Sequence, residues 1–192
     1  MIEVAQEGRV RRVSMNRAAQ RNLLTVDMAG LLVDAITEAL ADDGTGAILL
    51  EGRGDFFCYG ADGDLPEAFW TLRSTKPLIV AVHGAALGAG MALVAHAHVA
   101  VAAQGTSFGL LEIRNRVFSP GIGAVAHAIG WRRASELALT GRVCSTPEAL
   151  QMALVHEVAP AFEYVQRAEA IAQLLAEADS EVVRGILDAS RA

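Results

Sequence analysis

The chain alternates short, nearly unbroken apolar runs with longer stretches in which apolar residues recur every three or four positions. Val10 to Met15 and the segments 47–51, 78–82 and 98–102 are of the first kind and predict buried strands. Thr25 stands as an N-cap before a stretch of the second kind that runs to about Ala41. Asp27 falls in its first turn, and Ala29, Leu32, Val33, Ile36 and Leu40 share one face, which predicts an amphipathic helix. Further helical stretches fall near 65–74 and 89–97. Strand and helix thus alternate in the βαβ rhythm of an α/β protein, a parallel sheet covered by helices. Beyond Gly121 the pattern turns helical, near 122–129, 131–139, 147–153, 161–178 and 180–190. No repeat, low-complexity tract or linker interrupts it. The expectation is one domain over 1–192, with a core to about 140 and a helical part over 141–192.

Composition narrows the function. A domain of 192 residues buries about 70% of its unfolded surface. A hydrophobic content of 53% is high for a monomer, so either the core is large or sister subunits cover part of the surface. Lys+Arg 16 against Asp+Glu 22 leaves a net charge of −6, which disfavours nucleic acid as a partner. There is no apolar run of membrane-spanning length and no signal peptide before the first strand, so no membrane partner and a cytoplasmic location are expected. Cys58 and Cys144 lack metal-ligand spacing and read as reduced thiols. His96 and His98 stand two apart with no partner spaced to complete a metal site, and His83 reads as a hydrogen-bonded residue at a strand end.

The chemistry concentrates where strands empty into glycine. Lys76 to Val82 runs through His83-Gly84 into the small-residue turn Gly88-Ala89-Gly90 and an apolar helix. Such a turn lets a ligand approach the backbone, and the helix start aims free N–H groups at it. This is hardware for a negative charge, either a phosphate or the oxyanion of an acyl group. A second exit, Gly52 to Asp62, follows the strand at 47–51.

Taken in order, these motifs resemble the crotonase family, the enoyl-CoA hydratase/isomerase superfamily, from about Val13 to Pro160. The likeness rests on Ser14-Met15-Asn16-Arg17, Arg21-Asn22-Leu23-Leu24, Phe57-Cys58-Tyr59-Gly60-Ala61-Asp62 and Gly88-Ala89-Gly90. It continues through Phe108-Gly109-Leu110-Leu111-Glu112-Ile113, Leu139-Thr140-Gly141, Glu148-Ala149-Leu150 and Leu154-Val155-His156-Glu157-Val158. The resemblance implies a spiral of ββα units with a helical C-terminal part. It also implies an enzyme that acts on an acyl-CoA thioester through a stabilised enolate. By motif position the N–H groups of Tyr59 and Ala89 would hold the thioester oxygen, and Glu112 would be the acid/base. Arg17, Arg21, Asn22, Leu23, Gly60, Ala61, Asp62 and Gly88 would contact the substrate, the two arginines at the nucleotide end of coenzyme A. Asp62 would also order its own loop. No metal or redox cofactor is implied, since coenzyme A comes with the substrate, and a homotrimer or a dimer of trimers is.

The chain departs from the family pattern in ways that bear on the reaction. Ala92 stands where hydratase-type relatives carry the first of two glutamates, so the usual division of labour between two carboxylates cannot operate. One glutamate suffices to move a proton between C2 and C4 of a 3-enoyl thioester, which favours isomerisation over hydration. Decarboxylating and thioester-cleaving relatives, and a non-catalytic acyl-CoA-binding subunit, remain open. His98 replaces an Asp, Leu111 replaces a Pro, and Asn115 to Pro120 differs from the usual run. Only thirteen residues separate Asp62 from Lys76, and the part beyond Pro160 is shorter than in relatives, so either a more open pocket or one completed by a neighbouring subunit is expected. Cys58 beside the proposed donor reads as packing, since no base matches it. The Tyr59 hydroxyl either donates to a substrate carboxylate or simply accompanies a ring lining the pocket.

Overall fold

A computed structural model describes residues 1–189. In chain order it holds β1 Ile2–Glu7, β2 Val10–Met15, β3 Leu24–Thr25, α1 Val26–Ala41, β4 Ala47–Gly52, β5 Ala61–Asp62 and α2 Glu67–Trp70. Then come β6 Leu78–Val82, β7 Ala85–Leu87, α3 Ala89–His96, β8 Val99–Ala103, β9 Ser107–Gly109, α4 Ile122–Ile129 and α5 Trp131–Thr140. The chain continues through β10 Val143–Ser145, α6 Thr146–Gln151, β11 Glu157–Ala159, α7 Tyr164–Ala176 and α8 Ser180–Ala189. Residue 190 of the expected last helix lies outside the described residues.

The large sheet has the order β1-β2-β4-β6-β8-β11 and is parallel except for β1. A smaller sheet, β10-β9-β7, lies beside it. Successive units send one strand to each sheet, β6 and β8 to the large one, β7 and β9 to the small one, in the manner of a ββα spiral.

Alternation along the strands buries both faces of the large sheet. Ile48, Leu50, Leu78, Val80 and Val82 join the main core with Leu32 and Ile36 of α1, Leu93 of α3 and Phe57, Phe69 and Phe108. Leu49, Ile79, Ala81 and Val101 face the other way, onto Ala168, Ala172 and Ala176 of α7. The four-residue spacing of these alanines puts them on one helical stripe, and their small size lets α7 lie close to the sheet. Thr25 caps α1 as expected, its hydroxyl accepting from the Met28 N–H at 3.2 Å.

One expectation needs correction. The helix expected over 65–74 shrinks to the single turn of α2, whose N-cap Pro66 offers no side-chain cap. His98 lies beyond α3, between that helix and β8, and its Nδ1 accepts the Leu78 N–H at 3.0 Å while its own N–H donates to Leu78 O. It closes the start of the β6–β8 ladder, as His156 does for β8 and β11.

An ion network fastens α7 to the sheet edge. Arg12 donates to both Glu7 oxygens (2.8 and 2.9 Å), to Glu51 at 3.0 Å and to Glu169 of α7. Glu51 is buried and also accepts from the Ser14 hydroxyl at 2.8 Å and faces Arg53 at 3.1 Å. Removing one member of a buried pair leaves the other charge uncompensated, at a cost of 3–5 kcal/mol in general. With Ser14 and Arg53 still in place, Arg12→Met is expected to cost about 3 kcal/mol. Urea unfolding at neutral pH measures it, with Arg12→Met/Glu51→Gln recovering part of the loss.

Candidate active site

Three chain segments leave the carboxyl ends of parallel strands side by side. Cys58 bridges Ala86, and Ala86 pairs with Phe108, so moving two residues on brings Gly60, Gly88 and Leu110 abreast. Ligand sites in parallel sheets form at such strand ends. The Gly88 N–H donates to Gly109 O at 2.8 Å, which carries the following turn past Gly88. A Cβ built on Gly88 would lie 2.9 Å from Glu112 Oε1 and 3.8 Å from the Gly60 Cα. Glycine at 88, with φ +51° and ψ −114°, thus makes room for the Glu112 carboxylate.

Together these segments floor a cavity of about 750 Å³. Leu23, Tyr59, Gly60, Ala61, Gly88, Ala89 and Glu112 line it, so seven of the residues singled out in the sequence meet here. Leu65, Trp70, Leu87, Leu111, Val117, Phe118 and Pro120 supply apolar wall, and Asp64, Glu67 and Asn115 polar wall. Phe118 is 73% exposed, which marks an open mouth.

Arg17, Arg21, Asn22 and Asp62 are not among the lining residues. The Arg17 guanidinium donates to Leu23 O at 2.8 Å. Arg21 stacks over the rings of Phe56 and Tyr59, at 5.4 and 5.0 Å. Asn22 is fully buried, accepting from the Arg17 N–H and donating to Arg53 O and Phe56 O. Asp62 is exposed on β5.

The amide donors differ from the expectation at one position. The Tyr59 N–H is engaged, donating to Arg21 O at 3.1 Å, and so points away from the cavity side of the strand. The next peptide but one faces the right way. Gly60 O accepts the Leu24 N–H at 2.9 Å, and the Gly60–Ala61 peptide is trans. In a trans peptide the C=O and N–H point in opposite directions, so the Ala61 N–H points away from Leu24, toward the Gly88 side. At the other expected position the Ala89 N–H lies outside the hydrogen bonds of its helix. The first intrahelical bond of α3 runs from the Ala92 N–H to Gly88 O, so the Ala89 N–H precedes the helical ladder. Gly90 lets this helix start press on the neighbouring strand, since a Cβ there would lie 2.4 Å from Cys58 O.

Glu112 opens a short 3-10 turn, Glu112–Asn115, and is partly buried. Its Oε2 is buried without a hydrogen-bond partner, a condition native structures rarely leave unexplained. Burial raises its pKa above the ordinary 4.5, offset in part by its own N–H and by the nearby Ser119 hydroxyl. Cys58 is fully buried, and desolvation pushes its thiol up to about 12, against a weak contact to Gly60 O. It is packing, in keeping with its sequence. His83 Nε2 lies 2.7 Å from Gly54 O, a strand-end hydrogen bond.

Sequence reasoning missed Trp70 and Ser119. Trp70 sits in the short segment after Asp62, and only its contact with Gly121 gives it away. Ser119 approaches Glu112 from within the run that departs from the family pattern.

The spiral of two sheets, with a cavity at glycine-flanked strand ends, defines a crotonase-fold protein. The family profile described as "Enoyl-CoA hydratase/isomerase" matches residues 67–192. An enoyl-CoA hydratase of Mycobacterium tuberculosis is 30% identical, over 98% of this chain and 79% of that protein. The 2,3-dehydroadipyl-CoA hydratase of Escherichia coli is 32% identical, over 82% of this chain and 68% of that protein. The crystal structure of an enoyl-CoA hydratase from Mycobacterium marinum superimposes with a TM-score of 0.90 at 28% identity, over 97% of this chain and 80% of that one. The chain belongs to the enoyl-CoA hydratase/isomerase family and is an enzyme of the hydratase/isomerase type. Among the described residues no helix is long and apolar enough to cross a membrane.

Proposed function

We propose that the enzyme shifts the double bond of an enoyl-CoA thioester, with Glu112 as the one proton carrier and the Ala61 and Ala89 N–H groups as donors to the thioester oxygen. The observation that carries this reading is the partly buried Glu112 carboxylate beside Gly88 at the foot of the cavity, one of whose oxygens is buried without a partner. Ionised Glu112 takes a proton from C2 of a 3-enoyl thioester. The electron pair moves through the carbonyl carbon to the oxygen, where pre-aimed amides stabilise it without reorganising. Glu112 returns the proton at C4, and the double bond moves from C3–C4 to C2–C3. No atom is gained or lost. Neither a metal nor a redox cofactor takes part, and coenzyme A enters with the substrate.

Hydration of a 2-enoyl thioester is the second reading, favoured by the hydratase names of the relatives. Ala92 weighs against it. Assembly as a homotrimer or hexamer in the cytoplasm belongs to the same reading, supported by exposed apolar residues such as Trp131, Leu139, Phe162 and Leu174.

Incubation with 3-hexenoyl-CoA in deuterated water tests the reaction. Conversion to 2-enoyl product is expected, with deuterium at C2 or C4 to the extent that the proton on Glu112 exchanges with solvent, and neither 2-enoyl product nor exchange would overturn the reading. The base works only when ionised, so kcat/KM is expected to fall as pH drops through its raised pKa. The acid limb therefore has its midpoint above 4.5. A pH series on kcat/KM measures it, and Glu112→Gln removes that limb.

A further inference from the structure

We infer that Ser119 is a positioning residue for the base: its hydroxyl donates to Glu112 Oε2 and leaves Oε1, on the Gly88 side, to meet the acyl carbons. The inference rests on the one-base reading of Glu112 and gives each oxygen of that carboxylate its own task.

The chain brings Ser119 back onto Glu112 through a reversal held by its own hydrogen bonds. The 3-10 turn Glu112–Asn115 ends at Arg116, which sits in the left-handed region at φ +59°. The Arg116 N–H donates to Ile113 O at 3.0 Å, and the Val117 N–H returns to Glu112 O at 3.1 Å. Residues 117–120 therefore run back past Glu112, and Val117, Phe118 and Pro120 line the cavity. Ser119 is buried behind that wall, and its carbonyl accepts the Ile122 N–H at 3.2 Å where α4 begins.

Two buried polar atoms are thereby left as neighbours. Glu112 Oε2 and Ser119 Oγ are both closed off from solvent, and neither has a partner in strict hydrogen-bond geometry. An ionised carboxylate can only accept, whereas a serine hydroxyl turns its proton toward the acceptor that stands near. Each supplies what the other lacks. Hydrogen bonds that serve catalysis are often loose in a free enzyme and tighten once substrate is bound. The hydroxyl already favours the ionised form of Glu112, against the burial that raises its pKa.

The two oxygens have different surroundings. A Cβ on Gly88 would lie 2.9 Å from Oε1, and Gly88 lines the cavity, while Oε2 is sealed beside Ser119. A donor on Oε2 fixes the rotation of the carboxylate about its last bond and so aims Oε1. The charged groups around it are otherwise engaged or across the cavity. Arg114 of the same turn lies against Gly141, where an added Cβ would be 3.1 Å from its Cγ. The helix α5, packed on this turn, carries Arg132, Arg133 and Glu136, the last paired with Arg142 at 2.7 Å. Asp64 and Glu67 stand on the cavity wall. Burial, its own N–H and the Ser119 hydroxyl set the pKa of Glu112.

The test is kcat and KM for 3-hexenoyl-CoA across a pH series, for wild type, Ser119→Ala and Glu112→Gln. Ser119→Ala is expected to lower kcat about tenfold, the scale of one hydrogen bond to a charged group, with KM near that of wild type. The midpoint of its acid limb is expected to move to higher pH, because ionised Glu112 has lost a donor. A merely structural serine would not move that midpoint, so an unmoved midpoint overturns the inference whatever happens to kcat. An acid limb that is missing from wild type, or that survives Glu112→Gln, overturns the Glu112 reading and this inference with it. If Ser119→Ala fails to fold, Ser119→Cys takes its place under the same criterion, since a thiol fills the space but is a weak donor.

Discussion

Glu112→Gln is expected to lower kcat by about 10²–10⁴-fold while the protein stays folded. Glutamine keeps the shape that Gly88 makes room for but cannot accept a proton from C2. Its effect on stability should have the opposite sign. The pKa of Glu112 is raised in the folded state, so the fold favours the protonated form. That contribution is complete below the unfolded value and is lost as pH rises through the folded one. At neutral pH the ionised carboxylate therefore works against the fold, and a neutral amide should leave Tm unchanged or higher. Thermal melts at pH 7 beside steady-state kinetics check both halves. Full activity in the variant would remove Glu112 from the chemistry, and a collapsed Tm would make it a structural residue.

Gly88→Ala should cost about 10²-fold in kcat, the scale of an ångström of misplacement in the reacting geometry. Two effects act together. Position 88 lies at φ +51° and ψ −114°, a conformation that costs a residue with a Cβ about 1–3 kcal/mol. The new methyl would also stand 2.9 Å from Glu112 Oε1 and 3.5 Å from its Cδ. The carboxylate is the flexible partner and must swing away, so the base is displaced while the core is spared. Gly123→Ala in α4 is the control, because nothing lies within 4 Å of its added Cβ. It should keep full activity and gain slightly in stability from better helix propensity. Equal kcat in both variants would mean that Glu112 does not need its place beside Gly88.

How much was legible in the residues followed from what each feature depends on. The strands at 47–51 and 78–82 were readable because both faces of the large sheet are covered, leaving continuous apolar runs. β1 was not, since it pairs only with β2 at the sheet edge and most of IEVAQE is exposed. The three-residue strands β7, β9 and β10 are too short for any period to show. Glu112 and Ala89 could be placed at the cavity from sequence because local motifs carry them. The direction of the Ala61 N–H could not, because it is set by a hydrogen bond from Leu24, far away in sequence. Trp70 stayed hidden for a similar reason, since its place in the cavity wall depends on where the single turn of α2 packs.

The peptide joining Gly60 to Ala61 works as a rigid vane pinned on its outer side by Leu24. Its inner edge keeps its bearing whatever hangs from the neighbouring α-carbons. Tyrosine at 59 and alanine at 61 are thus free to drift during evolution without disturbing the bearing. Chains that share this device can diverge at both positions and still aim the same amide edge toward Gly88, so residue identity there carries little information about whether the device survives.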